Sequence, residues 1–205
     1  MKRPRHKTID GVSGSATSVT RSLSVICLVL LLFWPGKSLQ TFGQSAPPTE
    51  YPEYQLKAGY LWNFSRYVDW PARSFKQTNS PLVIGILGQD RFGNDLRKLV
   101  AGKKVEGRDL VVRKVETMDQ SRECQILFIS MSERKRTVDI LQALKSAPVL
   151  TVGESEGFIQ AGGIINFQVR NRELLLDINR AAAEKVGLRI SSKLLQIAEK
   201  GRESK

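Results

Sequence analysis

The groups with which this sequence could do chemistry are a scatter of carboxylates and one thiol. Asp69, Asp90, Asp95, Glu154, Glu156 and Asp177 are available, and a carboxylate pair cleaves glycosidic bonds without histidine. Glu154 and Glu156 lie two apart, but nothing around them marks a buried pair with separated pKa values, so they read as solvated loop acids. The only histidine is His6, and the cysteines are Cys27 and Cys124. His6 and Cys27 fall in a segment that reads as a leader, which leaves the remainder with no histidine and a single thiol. Ser–His–Asp and Cys–His activation are then out of reach, and so are the usual zinc sites. No catalytic residue, cofactor-binding residue or metal ligand is assigned. Gly85, Gly88 and Gly93 follow an apolar run in the pattern G-x-x-G-x-x-x-x-G. That is neither a dinucleotide fingerprint nor a P-loop, and no Lys-Ser/Thr pair follows it.

Cys124 directly precedes the apolar run Ile126-Leu-Phe-Ile129. A lone cysteine cannot close an intrachain disulfide. It is expected to be a buried, inert thiol, with pairing to another chain or oxidant sensing as the competing readings.

The leader explains part of the charge. Lys2, Arg3, Arg5, Lys7 and Arg21 precede an apolar run, Leu23–Trp34, broken only by Ser24. Twelve residues span a bilayer poorly, and the basic flank suits a secretory signal peptide over residues 1–46, cut after Gly43 or Ala46. An uncleaved membrane anchor is the competing reading. The full chain carries +12, and the residues after 46 hold 26 Lys/Arg against 19 Asp/Glu, or +7. Those charges alternate in sign, as in Arg122-Glu123 and Arg172-Glu173, which describes a solvated mixed surface and not a nucleic-acid face. Export from the cytoplasm is the expected outcome.

The elements that must position any site come next. Residues 47–52 are a linker containing Pro47, Pro48 and Pro52. Leu56, Tyr60, Phe64 and Tyr67 recur at helical spacing, so a helix is expected from about Glu53 to Asp69 with that stripe inward. Leu82–Leu87 and Ile126–Ile129 are apolar throughout, as strands covered on both faces are. Leu110–Val115 is a further strand. Helices are expected over Gln89–Val100 and Arg134–Leu144, the second with Val138, Leu141 and Leu144 inward. Pro148–Val152 is a buried strand, ended by Gly153 and followed by a loop with Gly157, Phe158, Gly162 and Gly163. Ile165, Phe167 and Val169 alternate with polar residues, Arg170–Glu173 turns, and Leu174, Leu176 and Ile178 return: a β-hairpin. A helix over 178–186 stops at Gly187, and a last short helix carries Leu194, Leu195, Ile197 and Ala198. The expected architecture is α/β: one domain over 53–198, a three-layer-like open sheet of about five to six strands flanked by helices, closed by a C-terminal antiparallel hairpin, with a charged tail over 199–205.

Three stretches resemble the YfiR family of periplasmic proteins. Lys57-Ala58, Asn63-Phe64 and Trp70-Pro71 are similar to its opening signature, and Cys124–Ile129 to its cysteine-led central strand. Gly153, Phe158, Gly162-Gly163, Ile165-Asn-Phe167, Asn179, Ala182-Ala183, Gly187-Leu188 and Ile190–Leu195 are similar to its C-terminal block. The resemblance covers residues 53–198. It implies a periplasmic α/β domain that works without catalysis, by binding the sensor region of an inner-membrane protein. That partner is a diguanylate cyclase or histidine kinase, held inactive until envelope or redox stress releases it to drive cyclic-di-GMP and biofilm output. A homodimer is a further partner state, and no nucleic-acid partner is implied. The best-known members carry two cysteine pairs. Here only Cys124 stands outside the leader, so a disulfide switch within the chain is excluded. Trp62, off the helical stripe, and Phe158, in the glycine loop, are the expected partner contacts, with core packing as the alternative for each. Set beside the regulator is a second class of function, a small-molecule binder using the glycine loop 153–163 as one wall of a cleft.

Overall fold

The computed structural model describes the backbone over residues 50–203 and side chains over 53–199. The expected leader over 1–46, with His6 and Cys27, lies outside the described residues. In chain order the elements begin α1 (Glu50–Tyr67), β1 (Val68–Asp69), β2 (Leu82–Leu87), α2 (Asp95–Val100), β3 (Lys104–Val105) and β4 (Arg108–Val115). They continue with α3 (Met118–Arg122), β5 (Ile126–Ile129), α4 (Thr137–Leu144), β6 (Leu150–Gly153), β7 (Ile165–Arg170) and β8 (Glu173–Ile178). The last three are α5 (Arg180–Lys185), β9 (Arg189–Ile190) and α6 (Ser192–Glu203).

Seven strands form the main sheet in the order β3-β4-β2-β5-β6-β7-β8. The five from β4 to β7 in that order are parallel, and the two edge strands are antiparallel. β2, β5 and β6 are buried at every position, because helices cover both faces. Successive residues point to opposite faces: Ile84 and Ile86 enter one core with α1, α2, α5 and α6, while Val83 and Leu87 enter a second with α3 and α4. The three-layer α/β domain is as expected, with a seventh strand that short length concealed.

Two tight turns finish the edges. β7 and β8 are joined by Asn171 and Arg172, both with positive φ, which is the mirror-image turn that matches strand twist. Glu106-Gly107 does the same between β3 and β4. A separate two-stranded ribbon pairs β1 with β9, Val68 opposite Ile190.

Two helix faces differ from expectation. Leu56 is 57% exposed, and the inward stripe of α1 is Tyr54, Lys57, Ala58, Leu61, Phe64 and Ser65. Val138 is 65% exposed and Ile140 takes its place in the core. Within α4 the buried residues Thr137, Ile140, Leu141 and Leu144 share one face, and Val138 lies more than a quarter turn away from its centre. The expected helix over Gln89–Val100 shortens to α2, because Asp90 binds the Phe92 amide (3.0 Å) and Gly93 turns with φ +55°.

Candidate functional site

In a parallel sheet that starts at a central strand and grows first one way and then the other, a crevice opens beyond the strand carboxyl ends where the direction reverses. Here the reversal is between β2 and β5, since the chain runs from β2 out to β4 and returns to β5. A cavity of about 660 Å³ lies at the carboxyl ends of the strands. Arg91 after β2, Met131 after β5, the loop Glu154–Gly157 after β6 and residues 166–170 of β7 line it, with Glu53, Tyr54 and Lys57 of α1 closing one side.

The centre of this wall is a buried ion pair. The Lys57 side chain is 3% exposed and that of Glu154 is 4% exposed, with Nζ 2.6 Å from Oε2. Burying charge is costly unless every partner is supplied, and here they are. The Tyr54 hydroxyl donates to Glu154 Oε2 at 2.8 Å and the Met131 amide donates to Oε1 at 2.8 Å. Lys57 also bonds Glu53 one turn back, and its ammonium lies 4.5 Å from the Tyr54 ring centroid. Burial, and next the facing Glu154 carboxylate, push the Tyr54 phenol far above its usual range, so it remains a neutral donor. Arg91 donates to the Tyr54 oxygen at 3.4 Å.

Asn166 stands at the floor. Its Nδ2 donates to the Ser155 carbonyl at 3.1 Å, while its Oδ1 is buried with no partner among the described residues. A buried acceptor of this kind carries an unmet desolvation penalty, and it borders the cavity. The arrangement can hold a small polar molecule that offers a donor to Asn166. As a catalytic carboxylate pair it is poorly formed, because Glu154 is locked to Lys57 and Glu156 is exposed. Of the other carboxylates, Asp69 faces Arg189 at 3.7 Å on the surface, Asp90 pairs with Arg97 at 2.9 Å, Asp95 accepts from Gln55 at 3.3 Å, and Asp177 accepts from Gln168. Among the described residues no cluster of His, Cys, Asp or Glu could hold a metal ion.

Phe158 is not a surface residue. It is 0% exposed and belongs to the second core, where its ring lies against Gly153 and Gly163. A Cβ built on either glycine would come within 2.3 Å of that ring. The expected partner contact at Phe158 is therefore corrected to a core plug, the alternative kept open for it. Trp62 is half-buried on the outer side of α1, under Arg66 and Lys103. Cys124 is buried, donates to the Gln120 carbonyl at 3.3 Å, and has its pKa pushed up to about 11 by burial. Lys57, Tyr54 and Asn166 were not expected as site residues. Lys57 and Asn166 did stand among the signature residues, and a charged residue between apolar neighbours at core spacing is the signal that singles out Lys57.

Among the described residues no helix is long and apolar enough to cross a membrane. Two solved structures are similar in part. One is the ABC domain in complex with L-Trp from Streptococcus pneumonia, 10% identical, covering 57% of this chain and 54% of that one, with a TM-score of 0.42. The other is a conserved domain protein from Vibrio cholerae O1 biovar eltor, 16% identical, covering 57% and 53%, with a TM-score of 0.41. The chain spans about half the length of these structures, and no curated protein matches it. The sequence profile described as YfiR/HmsC-like, DUF4154, matches residues 54–199, which takes in the whole sheet, the buried pair and Asn166. The chain belongs to the YfiR/HmsC-like family.

Proposed function

We propose that this protein is a periplasmic regulator of cyclic-di-GMP signalling that binds the sensor region of an inner-membrane protein, a diguanylate cyclase, and holds it inactive. The observation that carries this reading is the family match across 54–199, since YfiR-like proteins are periplasmic and regulatory. The mechanism is linkage: a protein that binds the inactive state of its partner better than the active one shifts the population toward it. Export by the N-terminal leader places the domain where such a sensor faces. Crosslinking of the tagged chain in living cells, with identification of what is captured from the membrane fraction, tests it. Capture of one inner-membrane protein with a periplasmic sensor and a cytoplasmic signalling output is the expected result. Capture of nothing, or of the protein alone, overturns it.

A second reading rests on the cavity at the strand carboxyl ends. Its built polar wall and the unpartnered Asn166 oxygen fit a small polar ligand, and the glycine loop 153–163 supplies part of that wall as a binder requires. A ligand screen read by thermal shift tests this, because anything that binds the folded state raises the melting temperature. Asn166→Leu is expected to abolish the shift produced by any hit. A hit whose shift survives that substitution binds elsewhere.

A further inference from the structure

We propose that the outer side of α1, toward its C-terminal end, is a docking strip for the anionic headgroups of a phospholipid bilayer. Five side chains from three segments alternate there as cation and ring. Lys103 Nζ lies 5.2 Å from the Trp62 ring centroid, and the Arg66 guanidinium lies 5.5 Å from the same ring. Arg66 is also 5.6 Å from the Tyr67 ring, and Lys193 Nζ is 5.1 Å from Tyr67 on its other flank. Trp62, Arg66 and Tyr67 belong to α1, Lys103 to the turn before β3, and Lys193 to the start of α6.

The chemistry of the strip follows from what holds the cations. A carboxylate would fix a lysine or arginine and cancel its charge; a ring face fixes it and leaves the charge intact. Among the described residues Arg66, Lys103 and Lys193 have no carboxylate partner, whereas Lys76, Lys104, Lys114 and Arg122 are all ion-paired. Arg108 repeats the pattern beside the strip, 3.7 Å over the Phe75 ring, and shares with Arg66 the lining of a hollow of about 230 Å³ in which Glu106 is the one acid. The surface is thus a set of fixed, uncompensated positive charges interleaved with half-buried aromatic rings.

That combination fits a headgroup layer better than a protein partner. Tyrosine and tryptophan sit at headgroup depth because one end is apolar and the other polar. A protein interface also buries an apolar centre, and the large exposed aliphatic residues Leu56, Val138 and Val169 lie off the strip, Val138 and Val169 on other elements and Leu56 elsewhere on α1. The strip gives Trp62, expected as a partner contact, a bilayer to meet.

The test is sedimentation of the chain, purified from the cell envelope, with vesicles rich in phosphatidylglycerol and with vesicles of phosphatidylcholine alone. Each cation beside an anionic surface strengthens binding by about fivefold. The triple variant Arg66→Gln, Lys103→Gln, Lys193→Gln is therefore expected to bind anionic vesicles about a hundredfold more weakly, with an unchanged melting transition. Quenching of tryptophan emission by brominated lipid is expected to fall in Trp62→Phe and to persist in Trp70→Phe, whose indole is committed to the Gln125 carbonyl at 3.0 Å in the wild-type fold. Anionic binding that is unchanged in the triple variant, or quenching that survives Trp62→Phe, overturns the proposal. So does a triple variant that loses a captured membrane protein while vesicle binding is absent throughout, which assigns the strip to an acidic protein surface.

Discussion

Glu154 and Phe158 stand four residues apart in one loop and face opposite sides of the sheet. Phe158 enters the core shared with α4 and seats its ring on Gly153 and Gly163. Glu154, the next residue after Gly153, points the other way to Lys57 and Tyr54 of α1. The apolar side is a plug: shape alone holds it, and the two glycines exist to make room. The polar side is a clamp: charge and hydrogen bonds hold it, and it forms one wall of the cavity. The same stretch of backbone is therefore held on both sides, by unrelated forces.

Breaking the plug has the largest effect. Phe158→Ala is expected to cost about 3–5 kcal/mol, the range for emptying a wholly buried aromatic site, measured by urea unfolding. Gly163→Ala is expected to cost at least about 1–3 kcal/mol by overpacking, since its new Cβ would fall 2.1 Å from the ring. That second cost is conditional. In the Phe158→Ala background Gly163→Ala is expected to be close to neutral, so the double-mutant cycle shows a large coupling. Additive costs would mean that the ring and the glycine do not share space.

Breaking the clamp costs somewhat less. Glu154→Gln keeps the shape but leaves the buried Lys57 without its one buried carboxylate partner, and a broken buried pair costs about 3–5 kcal/mol. The low end, about 3 kcal/mol, is expected because Glu53 remains as a half-open partner. Adding Lys57→Met to Glu154→Gln is expected to restore most of the loss, since no unpaired ammonium is then left buried. Persistence of the full loss in the double variant would show that the charge pair is not what holds α1 to the loop.

Cys124 sharpens the contrast between closed and open sides, because it lies in the same core as Phe158. Its pKa rises from the ordinary 9.0 to about 11, with burial as the main cause. Folded and unfolded chains both hold the proton below about pH 9. Between about 9 and 11 only the unfolded chain releases it, so this residue makes folded stability fall as pH rises through that window. Cys124→Ala is expected to flatten that slope in unfolding measured from pH 8 to 11. Alkylation of the native thiol at pH 8 is expected to be at least about a hundredfold slower than for a free thiol of ordinary pKa. Rapid alkylation would place the thiol at the surface and revive a redox role.

What the sequence made legible follows the same division. Elements whose physics is local or purely apolar could be read: the continuous strands β2, β5 and β6, the alternating hairpin β7–β8, and the buried thiol ahead of Ile126. The two-residue strands β1, β3 and β9 could not, because two residues carry no period. Phe158 could not be decided between partner contact and core packing, because a glycine-rich loop carries no burial pattern and only the fold shows that Gly153 and Gly163 close on one ring. The site was concealed for an electrostatic reason. Periodicity reads a lysine as solvent-facing, and Lys57 is inward only because Glu154, 97 residues away, meets it there.

The inward Lys57 also sets the smallest expected effect, at Leu56. The spacing of Leu56, Tyr60, Phe64 and Tyr67 by itself puts the apolar face of α1 on those four residues. With Lys57 inward, it rotates to Tyr54, Ala58, Leu61 and Phe64, and Leu56 turns out to solvent. Leu56 and Leu61 are thus the same residue type on one helix with opposite surroundings. Leu61→Ala is expected to cost about 2–5 kcal/mol as a fully buried site, while Leu56→Gln is expected to stay within about 0.5 kcal/mol, as exposed substitutions do. Unfolding of the two variants under one set of conditions compares them directly. A Leu56→Gln cost above about 1 kcal/mol would return Leu56 to an apolar contact, and with it the helix phase in which Lys57 faces water and Glu154 loses its cation.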